Sequence, residues 1–183
     1  MGESELLSQT EHIADVFMRI MQKTIVDDIH SGDGCGLTPV QLQALRHIVR
    51  HGESTVGSIS EGLMVSQPAA TMLVDRMVKR GLVERKSSAG DRRQSLVVPT
   101  SEADAIIRRV EEHRMERLGE IIRAMNPADR ERLVESLERF VTASLQAESD
   151  TSSACLRCGT NHKSDCIINK ASLQMAGKDI ENI

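Results

Sequence analysis

Residues 54–100 contain a change of sequence period that strongly restricts how this chain can fold. The first part places apolar residues at the spacing of a short helix: Val56, Ile59 and Leu63. Ser54 is the expected N-cap of this helix, and Ser66 is the expected N-cap of a longer helix that ends near Gly81. The stretch LVERKSSAGDRRQSLVVPT then has apolar residues at both ends and a polar centre, which predicts a two-stranded hairpin. The sequence therefore predicts a helix-turn-helix followed directly by a wing.

Long amphipathic helices are expected on both sides of this unit. Apolar residues recur at three- and four-residue steps before the unit, in residues 6–30, and after it, in residues 101–125 and 127–145. A further helix is expected from Pro39, with Thr38 before it, to the region of Gly52. The predicted fold class is therefore mainly α, with a small β wing.

The length of 183 residues, of which 39% are hydrophobic, fits one domain with an appendage and leaves no room for two enzyme domains. The first stretch, MGESELLSQTEH, is acidic and polar, unlike a secretory signal. No run of about eighteen apolar residues occurs, which is the length a membrane-spanning helix needs. We therefore expect a cytoplasmic protein.

The distribution of charge indicates a local site for a polyanion. Residues 38–100 contain nine Lys or Arg against five Asp or Glu, a formal charge of +4, whereas the whole chain carries −4. An ordinary solvated charge run is the alternative. The chain has no Trp or Tyr and only two Phe, so it lacks the aromatic surface on which many proteins stack single-stranded bases.

The stretch LVDRMVKRGLVERKSSAGDRRQSLVVPTSEA, residues 73–103, resembles the MarR family of bacterial transcriptional regulators, and the resemblance extends over about residues 5–145. It implies a winged helix-turn-helix with N- and C-terminal dimerisation helices, and hence a homodimer on a pseudo-palindromic operator in double-stranded DNA. The expected domain spans residues 1–146, with its DNA-binding part at about 38–100. A linker at 147–154 and a cysteine-rich tail at 155–183 follow.

The helix that begins at Ser66 is expected to enter the major groove, where the side chains of its first turns reach base edges. Four residues are the candidates for base contacts: Gln67, Pro68, Ala69 and Thr71. Gln67 would pair with adenine and Thr71 would donate or accept a hydrogen bond, while the small apolar pair would meet thymine methyl groups. Alternatively, Gln67 and Thr71 are capping and surface residues.

Cationic side chains that follow are expected to contact phosphates: Arg76, Lys79, Arg80, Arg85, Lys86 and Arg92. The helix dipole alone would also explain Lys79 and Arg80. In the wing, DRR matches the family's Asp-x-Arg signature, so the resemblance implies that Arg93 probes the minor groove and that Asp91 braces it. 

The chain departs from the family pattern at two methionines. Met64 stands where many helix-turn-helix turns have glycine, and Met72 stands where family members often have a polar or basic residue. 

The sequence contains no motif for catalysis. We find no phosphate-binding glycine loop, no His-Glu-x-x-His and no nucleophile-elbow serine. The chain is therefore not expected to be an enzyme.

The tail contains the stretch CLRCGTNHKSDC, whose spacing is that of a metal site. Its candidate ligands are Cys155, Cys158, His162 and Cys166. Together they would complete a zinc tetrahedron. Alternatively, the three thiolates and Cys35 or a small ligand would hold an iron–sulfur cluster. The spacing slightly favours Zn²⁺, and a tail of unligated thiols is the remaining possibility.

Cys35 lies in the glycine-rich stretch SGDGCG. Some relatives of the MarR family sense peroxide through one cysteine near the N-terminal helices, paired with tyrosines. This chain contains no tyrosine, so we interpret Cys35 as an ordinary free cysteine.

The sequence therefore predicts a homodimeric DNA-binding regulator, most simply a repressor, whose DNA affinity responds to metal or redox state through the tail. Three alternatives stay open. The first is a family member released from DNA by a small, often aromatic, organic effector, with a purely structural tail. The others are a redox or metal-trafficking module and a non-specific architectural DNA binder.

Overall fold

The computed structural model describes residues 2–30, 36–87, 95–146, 154–155, 158 and 165–177, with only the backbone of residues 24–30. Over these residues the chain is mainly helical with one small sheet, which confirms the predicted fold class. The helices are α1 (Glu3–His30), α2 (Pro39–His51), α3 (Val56–Gly62), α4 (Gln67–Lys79), α5 (Ser101–Ala124), α6 (Pro127–Gln146) and α7 (Ile167–Ala176). The strands are β1 (Ser54–Thr55), β2 (Val83–Ser87) and β3 (Ser95–Pro99).

The main core lies where α2, α3, α4, the sheet and the first half of α5 meet. Its fully buried members are aliphatic or small: Ala44, Leu45, Ile48, Ile59, Ala70, Val74, Met77, Val97 and Ala103. With each side chain almost wholly removed from water, burial of this apolar surface is the main source of stability for the helix-turn-helix.

The starts of α2 and α3 are fixed by capping boxes. The Thr38 hydroxyl accepts a hydrogen bond from the backbone N–H of Gln41, and Oε1 of Gln41 accepts one from the backbone N–H of Thr38. In α3 the same arrangement joins Thr55 and Ser58. The expectation that Ser54 caps α3 was therefore wrong, because Ser54 pairs with Val97 in the sheet and the helix begins one residue later.

Helix α4 starts and ends at the residues that the sequence predicts. Ser66 caps its start by accepting a hydrogen bond from the backbone of Ala69. At its end Gly81 has a left-handed φ of +70°, while its N–H bonds to the carbonyl of Val78 and that of Leu82 to the carbonyl of Met77. This pair of bonds is a Schellman motif, which satisfies two carbonyls that the helix leaves free.

Strands β2 and β3 form the expected antiparallel hairpin, with Val83 opposite Pro99 and Ser87 opposite Ser95. The short strand β1 pairs with the other edge of β3, giving the order β1-β3-β2. This third strand was not expected from the sequence. It attaches the start of α3 to the wing, so the helix-turn-helix and the hairpin share one sheet.

The long helices leave much of their apolar surface exposed. α1 packs against α5 and α2, yet most of its described large apolar side chains remain exposed: Leu6, Leu7, Ile13, Val16, Phe17, Met18 and Ile20. α6 similarly exposes Val134, Leu137 and Phe140. Among the described residues, every helix is too short or too polar to cross a membrane.

The tail contains a helix that the sequence analysis did not predict. α7 begins after Cys166, whose Sγ accepts a hydrogen bond from the backbone of Asn169 at 3.3 Å. The helix packs against α6, where Ile168 and Ala171 join Leu145 in a second, smaller apolar cluster. This helix therefore packs onto the helical body.

Candidate nucleic-acid interface

The candidate base-contacting residues lie together on the first turns of α4. Gln67, Pro68 and Thr71 are exposed, while Ala69 is half-buried. Their accessibility follows from the helical repeat, since Ala70, Val74 and Met77 occupy the opposite side and anchor α4 in the core. 

Two of these polar side chains already make contacts within the protein. The Thr71 hydroxyl donates a hydrogen bond to the carbonyl of Gln67 at 2.9 Å, so toward DNA this oxygen acts as an acceptor. The amide nitrogen Nε2 of Gln67 lies 3.6 Å from the position that a Cβ on Gly57 would occupy. The Gln67 side chain therefore extends over the first turn of α3.

The cations beside α4 differ in what they contact. Arg76, Lys79 and Lys86 are exposed, as phosphate contacts require. Arg80 donates a hydrogen bond from Nη1 to the carbonyl of Gly36 at 2.8 Å and so connects the end of α4 to the segment before α2. Its guanidinium therefore has a structural role in addition to any contact with DNA.

Arg85 is connected to α4 by an ion pair. Its Nη2 lies 2.9 Å from Oδ1 of Asp75, which bridges β2 and the exposed side of α4. The sequence analysis missed Asp75, although an acidic residue on the exposed side of a basic helix is a signal for such pairing. Both side chains are partly exposed, so the pair orients Arg85 more than it stabilises the fold.

The predicted minor-groove residues Asp91, Arg92 and Arg93 lie outside the described residues, so their roles stay predictions. The described strands β2 and β3 run antiparallel up to Ser87 and Ser95.

A buried ion cluster joins α2 to α5. Nη2 of Arg50 donates a hydrogen bond to Oε1 of Glu111 at 2.8 Å, and Nε of Arg46 lies 2.9 Å from the same oxygen without hydrogen-bond alignment. Burial lowers the pKa of both arginines, whereas Glu111 opposes this effect. Both guanidinium groups form their ion pair with the same carboxylate, so Glu111 is the central residue of the contact between α2 and α5.

The tail cysteines lie close enough to influence one another electrostatically. Burial raises the pKa of the Cys155 thiol to about 11, and Cys158 and Cys166 act in the same direction. The Cys158 thiol also affects the pKa of Arg50, which indicates that the tail lies near the end of α2.

The predicted metal site is only partly described by the structure, so it stays a prediction. Among the described residues, no three His, Cys, Asp or Glu side chains are arranged to hold a metal ion. His162 and Cys35 lie outside the described residues. A metal at Cys155 would also have to displace a proton that burial favours.

Comparisons with known proteins agree with this geometry. A model of the MarR family matches residues 36–94. The HTH-type transcriptional regulator YfiV of Bacillus subtilis is 26% identical over 137 residues, covering 75% of this chain and 86% of YfiV. The HTH-type transcriptional repressor MdtR of the same organism is 32% identical over 85 residues, or 46% of this chain and 55% of MdtR.

The fold is also shared with a protein solved on DNA. The structure of Streptococcus pneumoniae FabT in complex with DNA matches with a TM-score of 0.67 over 78% of this chain and 99% of FabT, at 17% identity. At this identity the match shows a common fold.

A helix-turn-helix with one exposed helix, followed by a hairpin whose sheet includes the strand before α3, defines a winged helix-turn-helix protein. The part of the chain that contains the winged helix-turn-helix, residues 36–94, belongs to the MarR family of DNA-binding transcriptional regulators. This membership confirms the resemblance seen in the sequence, and also the expectation that the protein is not an enzyme.

Proposed function

We propose that this protein is a homodimeric repressor that binds a pseudo-palindromic operator through α4 and the wing. The observation that carries the proposal is the exposed side of α4, where Gln67, Pro68 and Thr71 precede the cations Arg76 and Lys79. The first group would read base edges, and the cations would contact phosphates. Repression is supported by similarity to the repressor MdtR.

The wing would extend this contact to the minor groove. Lys86 and Arg85 on β2 would bind the backbone, with Asp75 orienting Arg85. Arg92 would add a phosphate contact, Arg93 would insert into the minor groove and Asp91 would brace it, as the family signature implies.

The homodimer is supported by the exposed apolar surface of the long helices. Among the described side chains, α1 exposes seven large apolar ones and α6 exposes three more. An apolar surface of this extent is typical of a protein interface. We therefore assign dimerisation to these helices, within a domain spanning residues 1–146 whose DNA-binding part is about 38–100.

We further propose that the tail, residues 155–183 after a linker at 147–154, adjusts DNA affinity in response to metal or redox state. Support comes from the mutual proximity of Cys155, Cys158 and Cys166 and from the packing of α7 against α6. A change at the cysteines would move α7 against a dimerisation helix and alter the distance between the two recognition helices. His162 would complete a Zn²⁺ site, whereas Cys35 or a small ligand would complete an iron–sulfur cluster.

Selection of duplexes from a random library, followed by affinity measurements at several salt concentrations, tests the DNA-binding proposal. Lys79→Ala should weaken binding to every sequence and reduce the slope of log K against log salt by about 1. Gln67→Ala should instead change which base is preferred at one position. Recovery of no preferred sequence by the wild-type protein contradicts the proposal.

The tail proposal is tested with the Cys155→Ser, Cys158→Ser, Cys166→Ser triple variant. Operator affinity is measured for both proteins with zinc, with a chelator, and under oxidising and reducing conditions, together with metal and sulfide content. We expect the wild-type affinity to respond to at least one of these treatments and the triple variant to respond to none. An identical response in both proteins excludes the tail as the sensor.

A further inference from the structure

The side of α4 that faces away from the core is largely apolar in its first half. Pro68 and Met72 are four residues apart, so they share one side of the helix. That side is opposite to Ala70, Val74 and Met77, which are fully buried. The Met72 side chain is 57% exposed, and the helix is held rigidly beneath it by the core.

The polar groups nearest to Met72 are less available to DNA than the sequence suggests. The proton of the Thr71 hydroxyl is directed to the carbonyl of Gln67, and the Gln67 amide extends toward Gly57 of α3. The centre of the exposed side therefore presents the Met72 thioether chain and the Pro68 ring. Arg76 and Lys79 lie one and two turns farther along, where they suit phosphates rather than bases.

Only one standard base offers an apolar group in the major groove, which is the C5 methyl of thymine. A methionine side chain is long, unbranched and polarizable, so it can contact a methyl group in several conformations. Arginine or glutamine at the same position would instead favour guanine or adenine.

We propose that Met72, together with Pro68, reads thymine methyl groups and is a specificity-determining residue of this protein. The inference rests on the proposed function, because it requires α4 to enter the major groove. It extends that function by naming what the centre of α4 recognises: thymine within each operator half-site.

The test replaces thymine by deoxyuridine, one position at a time, in an operator selected from random duplexes with the full-length protein. Deoxyuridine keeps every hydrogen-bonding group of thymine and lacks only the methyl. For wild type, we expect affinity to fall about fourfold at each contacted position, the effect of removing one methyl from an apolar contact.

Two substitutions of Met72 separate its chemistry from its size. Met72→Leu keeps an apolar side chain of similar volume and should retain the preference for thymine over uridine. Met72→Gln keeps a similar length and helix propensity and should abolish that preference at one position at least. Circular dichroism and thermal unfolding should be unchanged for both, because the position is exposed. Lys79→Ala is the control for a general loss of affinity, which should affect thymine and uridine operators equally.

The possible outcomes are distinct. If no sequence is selected, the proposed function fails and the inference fails with it. If a sequence is selected but wild type does not distinguish thymine from uridine, or Met72→Gln distinguishes them as well as wild type, DNA binding stands and the role of Met72 is wrong. Loss of discrimination in Met72→Gln with retention in Met72→Leu establishes the contact.

Discussion

Met64 holds an unfavourable backbone conformation in the turn of the helix-turn-helix. Its φ is +53°, in the left-handed region, and its side chain is 76% exposed, so little packing compensates for the strain. The sequence comparison with the family anticipated glycine here, and the structure supplies the physical reason.

We therefore expect Met64→Gly to stabilise the protein. The left-handed conformation costs a residue with a Cβ about 1–2 kcal/mol, and the greater freedom of glycine in the unfolded chain offsets about 0.5–1 kcal/mol of the relief. The net gain in the free energy of unfolding should be about 0.5–1 kcal/mol, measured by urea denaturation at one fixed protein concentration. Met72→Gly, an exposed position inside α4, is the matched control and should lose about 1 kcal/mol. A loss of stability in Met64→Gly contradicts the assignment of strain.

At the residue scale, caps and turns were predictable where one side chain decides the geometry. Ser66 acts as expected because its hydroxyl accepts a hydrogen bond from a backbone N–H that has no partner within the helix. Gly81 acts as expected because a residue without Cβ adopts the left-handed φ that ends the helix. Ser54 did not, because two adjacent hydroxyl residues can both cap and only the pairing of Ser54 with β3 decides between them.

Thr100 connects the wing to α5 and stabilises both elements. Its side chain accepts a hydrogen bond from the backbone of Ala103 as the N-cap of α5, and its hydroxyl lies 2.9 Å from the carbonyl of Gly81 and 3.1 Å from that of Leu82. We expect Thr100→Ala to lower the free energy of unfolding by about 1–2 kcal/mol. Thr100→Ser keeps the hydroxyl and should retain most of that stability in the same denaturation experiment. Equal losses in both variants would show that the methyl group, not the hydroxyl, matters.

Glu111 connects α5 to α2 through two arginines that are nearly inaccessible to solvent. Removing its charge leaves Arg46 and Arg50 without a counterion, while about a third of the Glu111 side chain remains in contact with water and moderates the effect. We expect Glu111→Gln to destabilise the fold by about 2 kcal/mol, measured by chemical denaturation. Glu112→Gln, the exposed neighbour, should change stability by less than about 0.5 kcal/mol. Similar values for the two variants contradict a central role for Glu111.

At the element scale, the periodicity predicted the long helices, the helix-turn-helix and the hairpin. It did not predict β1, because a strand of two residues is too short to show an alternating pattern. The pairing of β1 also depends on where β3 lies in the fold. It did not predict α7, because the N-cap of this helix is Cys166 and a thiol is not one of the side chains that mark a helix start. The ion cluster around Glu111 could not be predicted from the sequence either, because its partners lie 61 residues apart or more and meet only through packing.

At the scale of the whole molecule, the described helices leave much apolar surface exposed. The sequence has apolar stripes on the long helices, and the resemblance to the MarR family implied that these helices dimerise. In the structure many of their members are exposed, including Leu137 and Ile121, which the packing of one chain does not cover. The stripes therefore predict an interface as readily as a core, and sequence periodicity alone does not distinguish the two.

A charge introduced on α1 should separate the two subunits. Phe17 is 42% exposed on α1 and Phe140 is 61% exposed on α6, and we assign both helices to the dimer interface. Phe17→Glu and Phe140→Glu should each shift the protein from dimer to monomer at micromolar concentration, because a buried carboxylate without a partner strongly opposes association. Sedimentation and light scattering measure the mass directly. Val40→Glu is the matched control, since Val40 is 47% exposed at the start of α2, where a carboxylate also suits the helix dipole.

Loss of the dimer should weaken binding to a two-half-site operator by about 100-fold or more, because the second α4 no longer benefits from the first. Dimers that persist in both phenylalanine variants would place the interface elsewhere.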